Sequence, residues 1–261
     1  MRRTHAAKII SIFTACLAFA SACRSASRII IADDLRAGTD VMRARMTFQA
    51  PGRIWNFKFG EYAVVESKIS PEATTTTGDG ALENSLTTMS FWFILKGAGP
   101  GTVRVKAFQS IGSLNVGDVE LSQGRSVRAE GITGVHNRLV ATLTADGEEG
   151  PPWKLYLNAV TSGGGTGERT SVSYMTDGTR EIVLTPVTND APGAKRHAIP
   201  ARGYEFAENG TPLGAVQYYG GGVFGLNQSF IHLRRSLDPR TKLLLAAAMT
   251  AVMQAKSGSG D

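Results

Sequence analysis

Cysteine is nearly absent. Of 261 residues only Cys16 and Cys23 are cysteines, and both fall within the first 23 positions. The body of the chain therefore has no thiol for a disulfide framework, a zinc site or a nucleophile. Histidine is almost as scarce: beyond His5 there are only His136, His197 and His232, at no recognisable ligand spacing. No Walker A sequence, no H-E-x-x-H and no G-x-S-x-G occurs. Long apolar runs are missing too, since neither Ile9 to Ala20 nor Leu243 to Met253 reaches the about 20 residues a spanning helix needs. An excess of positive charge is also smaller than it looks. The formal +6 comes from 28 basic and 22 acidic residues, and Arg2, Arg3 and Lys8 fall in a segment without acids. Without them 25 basic side chains face 22 acidic ones, and the densest clusters, Arg234-Arg235 and Lys195-Arg196, are only pairs. A nucleic-acid footprint needs a basic stripe on one face, so no nucleic-acid partner is expected.

What is present is organised. Residues 1–23 read MRRTHAAKIISIFTACLAFASAC: a basic start, an apolar run and then small residues. That is the layout of a secretory signal peptide. Its junction, Ala20-Ser21-Ala22-Cys23, resembles a bacterial lipobox, although Ala20 stands where many lipoboxes have Leu. The resemblance implies cleavage before Cys23, acylation of its sulfur (palmitate among the acyl chains) and attachment of the mature chain to a membrane. The competing reading is an ordinary cut after Ala20 or Ala22, which would leave one unpaired thiol in an oxidising compartment. Single acyl chains hold weakly and stable anchoring takes at least two; the lipoprotein class supplies three in Gram-negative cells. Arg24 after the cysteine, in place of the Asp that retains lipoproteins at the inner membrane, points to the periplasmic face of the outer membrane.

Beyond about Arg43 the dominant period is two. Trp55, Phe57 and Phe59 alternate with polar residues, as do Val103, Val105 and Ala107, then Leu139, Ala141 and Leu143, then Trp153, Leu155 and Leu157. This marks half-buried antiparallel strands. Asp177-Gly178 and Asn209-Gly210 are hairpin signals, Asp146-Gly147 opens a longer turn, and KGAGPG joins FWFILK to TVRVKAF. Thirty glycines fit such a chain. Ser70 to Thr87 reads as one long polar loop, a surface loop or a lid. At the C-terminus Asp238-Pro239 starts a helix of about 239–255, apolar nearly all the way round and so expected to be buried on most sides. A β-rich body closed by an apolar C-terminal helix resembles the tubby-like and scramblase-like barrels, with Tyr204–Phe206, Ala215–Gln217 and Leu243–Met253 as the matching elements. The likeness implies a helix running through a barrel.

The expected organisation is a signal peptide over 1–22, then a lipid-anchored N-terminus and short tether over 23–42. A single mainly β domain follows over 43–256, an antiparallel barrel or sandwich of about ten to twelve strands with a buried apolar C-terminal helix, and 257–261 form a tail. Gly220 to Gly225 spells G-x-G-x-x-G but runs on into LNQSFIHL, a strand and not the helix a dinucleotide site requires. Asp33-Asp34, Glu148-Glu149 and Asp118 with Glu120 read as caps, turns or solvated loops before they read as acid–base pairs. The aromatics at 55–59 and 91–93 read as core before they read as a ligand cavity. No catalytic, metal or cofactor residue is nominated, and the one site residue is Cys23, for lipidation. The expected function is a lipid-anchored cell-envelope protein, a non-catalytic binding or structural module with a small apolar ligand or an envelope protein as partner. The alternative is an envelope hydrolase using a distant histidine and the 70–87 loop, and a third reading is an assembly component using exposed strand edges.

Overall fold

A computed structural model describes residues 28–47, 51–77, 84–112, 119–121, 125–127, 136–147, 150–162, 169–189, 201–220 and 228–257. Alternation becomes a wall wherever the chain is in register. In β6 (Thr102–Gly112) Val103, Val105 and Ala107 point inward, while Arg104, Lys106 and Phe108 point out. The other wall strands are β1 (Thr39–Thr47), β2 (Asn56–Phe59), β3 (Tyr62–Ile69), β5 (Asn84–Lys96), β9 (His136–Ala145) and β10 (Trp153–Ser162). They are followed by β11 (Arg169–Thr176), β12 (Glu181–Thr188), β13 (Arg202–Glu208), β14 (Thr211–Tyr219) and β15 (Ser229–Arg234). Around the ring the order is β1-β15-β14-β13-β12-β11-β10-β9-β6-β5-β3-β2, antiparallel throughout, and pairing of β3 with β5 closes it. The fold is a closed 12-strand barrel and not a sandwich.

Twelve strands enclose a bore wider than side chains alone can fill. The helix α2 (Pro239–Ser257) occupies it, with every residue from Leu244 to Ala255 buried. Its apolar character on all sides follows from that position. Asp238 caps its start, accepting a hydrogen bond from the Thr241 amide at 2.9 Å. The one hydroxyl in the buried stretch, on Thr250, donates to the Ala246 carbonyl one turn back at 2.8 Å. The wall makes room at Gly214 in β14, where a Cβ would meet the Met249 methyl at 2.8 Å and the His232 carbonyl at 2.6 Å.

The two ends of the barrel differ. At one, the turn end, connections are tight. Asn209-Gly210 joins β13 to β14 with φ of 49° and 76°, the paired positive values of a type I′ turn. At the other, the loop end, the connections span 48–55, 70–83, 113–135, 163–168, 189–201 and 220–228.

Two expectations need correction. The run Ser70 to Thr87 is not one loop: β4 (Ala73–Thr77) pairs with Asn84–Thr88 of β5, with Ala73 opposite Thr88. All five β4 residues are exposed, because this hairpin continues past the barrel rim, where no core exists to impose alternation. Polarity on both sides of a strand looks like irregularity in a sequence, although a run of β-branched threonines suits a strand. The 23–42 tether is, in its described part, not a tether. From Arg28 the chain is docked on the barrel's outer wall, and β1 begins at Thr39. Two further short strands, β7 (Val119–Leu121) and β8 (Arg125–Val127), form a separate hairpin.

Candidate functional site

The most elaborate surface feature is the seat of residues 28–38 on the outer face of β12 to β15. This strap includes the six-residue helix α1 (Asp33–Gly38). Outward positions of a barrel are usually polar, but here Gly203 and Ala215 make a shallow apolar trough. A Cβ at Gly203 would clash with the Val216 backbone carbonyl and stand 3.0 Å from the Ile29 side chain, so glycine is needed there first for the approach of β14 and also leaves room for Ile29. Ile29, Ile31 and Leu35 bury themselves there with Ala201 and Ala215. Backbone groups are matched as well. The Ile29 amide donates to Gln217 Oε1 at 3.1 Å, Ile30 to the Thr188 carbonyl at 2.8 Å and Ala32 to Glu205 Oε2 at 3.0 Å. The Arg28 guanidinium lies 4.7 Å from the Phe230 ring centroid. Asp34 pairs with Arg234 at 2.6 Å and Asp40 with Arg235 at 3.0 Å.

His232 lies beneath this strap. It faces outward on β15, opposite Ala215 and Val41, yet only 5% of it is exposed. Among the described residues neither ring nitrogen finds a hydrogen-bond partner. Burial first, and then the positive charges of Arg28 and Arg36, lowers its pKa to about 4. A neutral imidazole covered in this way is out of reach of a substrate in solution. Of the candidate hydrolase elements, the described part of the 70–87 segment carries a strand hairpin beyond the rim, and His232 is sealed under the strap. His197 and the side chain of His136 lie outside the described residues. So do Cys23, Glu148-Glu149, Asp118, the side chain of Glu120 and residues 221–227 of the glycine run. Asp33 and Asp34 occupy the first turn of α1, where carboxylates offset the helix dipole, and Asp33 pairs with Arg36 at 3.4 Å. Phe57, Phe59, Phe91 and Phe93 are core, while Trp92 faces outward and Trp55, 37% exposed, stands just before β2.

A buried polar cluster at the loop end is the group that sequence reading missed. Gln109 Nε2 donates to the Ala255 carbonyl at 2.7 Å and to Asn137 Oδ1 at 2.8 Å, and Asn137 Nδ2 reaches the same carbonyl at 3.2 Å. Together they satisfy a helix-terminal carbonyl that has no partner within α2. Asn158, at φ 55° in a bulge of β10, donates to the Asn137 carbonyl at 2.7 Å. The signal was present: alternation through Val103, Val105 and Ala107 places a glutamine at the next inward position. Gln109 Oε1 is buried and finds no partner among the described residues. This cluster fixes how deep the helix sits, and its chemistry is that of a cap.

At the turn end a cleft of about 240 Å³ is lined by Asp40, Met42, Gly60, Glu61, Tyr62, Leu233 and Lys242. Burial and then the Glu61 carboxylate raise the Tyr62 hydroxyl far above its ordinary range. Among the described residues no three His, Cys, Asp or Glu side chains gather as metal ligands, and no helix is long and apolar enough to cross a membrane. Comparison of the chain with protein families, with curated proteins and with solved structures finds no match.

Proposed function

We propose that this chain is a lipid-anchored protein of the cell envelope, held to the membrane through Cys23, whose barrel is a non-catalytic binding or structural module. The observation that carries the reading is the strap: it docks from Arg28 onward, only five positions after Cys23. An acyl group there would hold a rigid body at the bilayer surface and not a domain on a long leash. Filling of the bore by α2 favours a protein partner or a structural role over an apolar ligand carried inside the barrel. The barrel with a helix along its bore also supports the likeness in layout to tubby-like and scramblase-like barrels. Arg24 supports placement on the periplasmic face of the outer membrane.

The test is metabolic labelling with palmitate in a bacterial host, followed by fractionation. The wild-type chain is expected to take label and to sediment with membranes, and Cys23→Ser to take none and lose tight attachment. An unlabelled wild-type chain, or a Cys23→Ser chain that after signal cleavage stays as firmly membrane-bound as wild type in high salt, would overturn the reading.

A further inference from the structure

We propose that β4 is a self-association edge, along which two copies of this chain join antiparallel, β4 to β4. The inference goes beyond the anchor reading and does not rest on it.

A sheet edge presents a row of unpaired amide and carbonyl groups, and closing a sheet into a barrel removes such edges. β4 (Ala73–Thr77) escapes the closure because it lies past the rim. It stands at the end of the sheet order, paired with β5 on one side, and among the described residues no strand pairs with its other side. Exposed edges are ordinarily guarded by lysine, proline, a bulge or a covering segment. Ala73–Thr77 contains no charge and no proline. Its register with β5 runs without a bulge from Ala73–Thr88 to Thr77–Asn84, and all five side chains are exposed. The edge is regular, uncovered and unguarded.

The chemistry of the strand selects its occupant. A strand added from a different protein draws its specificity from side-chain pockets or from charge pairs, and five exposed, uncharged side chains provide neither. A second copy needs neither. About a twofold through Thr75, that residue faces Thr75 of the second copy, Thr74 faces Thr76 and Ala73 faces Thr77, so all five positions pair and no like charges meet. Facing threonines are a favourable cross-strand pair. The chain already makes one on the inner side of β4, where the Thr74 and Thr87 hydroxyls share a hydrogen bond of 3.0 Å. The symmetry also suits the strap. A twofold normal to the ladder keeps the same face of each copy turned the same way. β13, which carries Gly203 and Glu205 of the strap's seat, stands six strands from β5 in either direction round the ring. Both straps therefore lie on one face of the pair, and two anchors at Cys23 would meet one membrane. Five residue pairs make a small interface, so the association is expected to be weak and reversible.

The experiment uses the signal-processed chain with Cys23→Ser, in which an introduced cysteine is the only thiol. Sedimentation equilibrium is expected to show a mass that rises with concentration from one chain to two and stops there. Salt should not dissociate the pair, since no charges hold it. Thr75→Lys sets two lysines opposite each other and is expected to weaken the dimer about tenfold. Val183→Lys is the control: this side chain is 46% exposed on β12, away from β4, and the change should leave the dimer as it is. Directly opposed residues of an antiparallel pair have Cα atoms about 4.5–5.5 Å apart, within reach of a disulfide. Thr75→Cys is therefore expected to link two copies under mild oxidation, and Val183→Cys is not. Should Thr75→Lys fail to fold, the two cysteine variants carry the test. A monomer at every concentration, growth beyond two chains, a loss from Thr75→Lys no larger than from Val183→Lys, or equal linking through Thr75→Cys and Val183→Cys would each overturn the proposal. So would a monomer that Thr75→Cys links to another envelope protein, since the edge would then belong to a heterologous strand. Palmitate labelling is independent: a dimer without label sinks the anchor alone, and label without a dimer sinks this proposal alone.

Discussion

Leu35→Ala tests whether the strap is a separable latch. Leu35 is fully buried in the outer trough, in a cluster of five small or aliphatic residues apart from the main core. Removing such a side chain costs about 2–5 kcal/mol, the upper part applying where neighbours cannot collapse into the space. Strap and barrel meet only along the outer wall, so the loss falls on undocking of residues 28–38, a local opening that leaves the ring paired. At about 1.4 kcal/mol per tenfold, even 2 kcal/mol raises the open population about 30-fold. Amide hydrogen exchange reads this directly. The Ile30 amide, bonded to the Thr188 carbonyl, should lose at least that factor of protection. The Leu143 amide in the barrel wall should not change under native conditions. Unchanged protection at Ile30 would refute the packing argument, and equal loss at Leu143 would refute the separability of the strap.

Acid should act on the same seat through His232. Its pKa is lowered to about 4 from an ordinary 6.5, so between these values the unfolded chain binds more protons and stability falls as the pH falls. The full shift is worth about 3 kcal/mol at most. Urea midpoints measured from pH 7 to pH 4 should drop for wild type, and His232→Leu should flatten that part of the profile; parallel profiles would sink the assignment. In the bore, Gly214→Ala would push a methyl group against the Met249 side chain and the His232 carbonyl. A loss of about 1–3 kcal/mol is expected in chemical denaturation, as for other overpacked cores, and a neutral result would mean that the helix shifts freely.

The parts of the fold readable from sequence are those in which local chemistry and the barrel agree. Asn209-Gly210 marks its turn because both residues tolerate positive φ, and alternation in β6, β9 and β10 persists because one side of each strand faces the filled bore. The helix declares itself by lacking a polar face. What stayed hidden depends on contacts distant in sequence. Nothing in Ile29 to Ile31 says that the apolar trough they need is supplied by Gly203 and Ala215, more than 170 positions later. The β4 threonines are exposed on both sides and carry no period at all. Gln109 is a middle case, visible as a polar residue at an inward position, though its partner, the Ala255 carbonyl, is 146 residues away. Choosing a barrel over a sandwich required the β3–β5 pairing, which no local signal encodes.

The position of α2 in the chain has a consequence for how the molecule is made. The segment that fills the middle of the barrel follows all fifteen described strands in sequence, so it is the last of these elements to leave the ribosome. Until then the wall has nothing to close around, and its inward leucines, valines and phenylalanines have no partner at the centre. Contacts as remote as those of Ala255 with Gln109 and Asn137 make late, concerted closure the natural order of events. A chain interrupted before Asp238 would hold every strand and still lack its centre. The helix thus works as a completion check on the barrel, since only a chain made as far as α2 can hide that apolar interior.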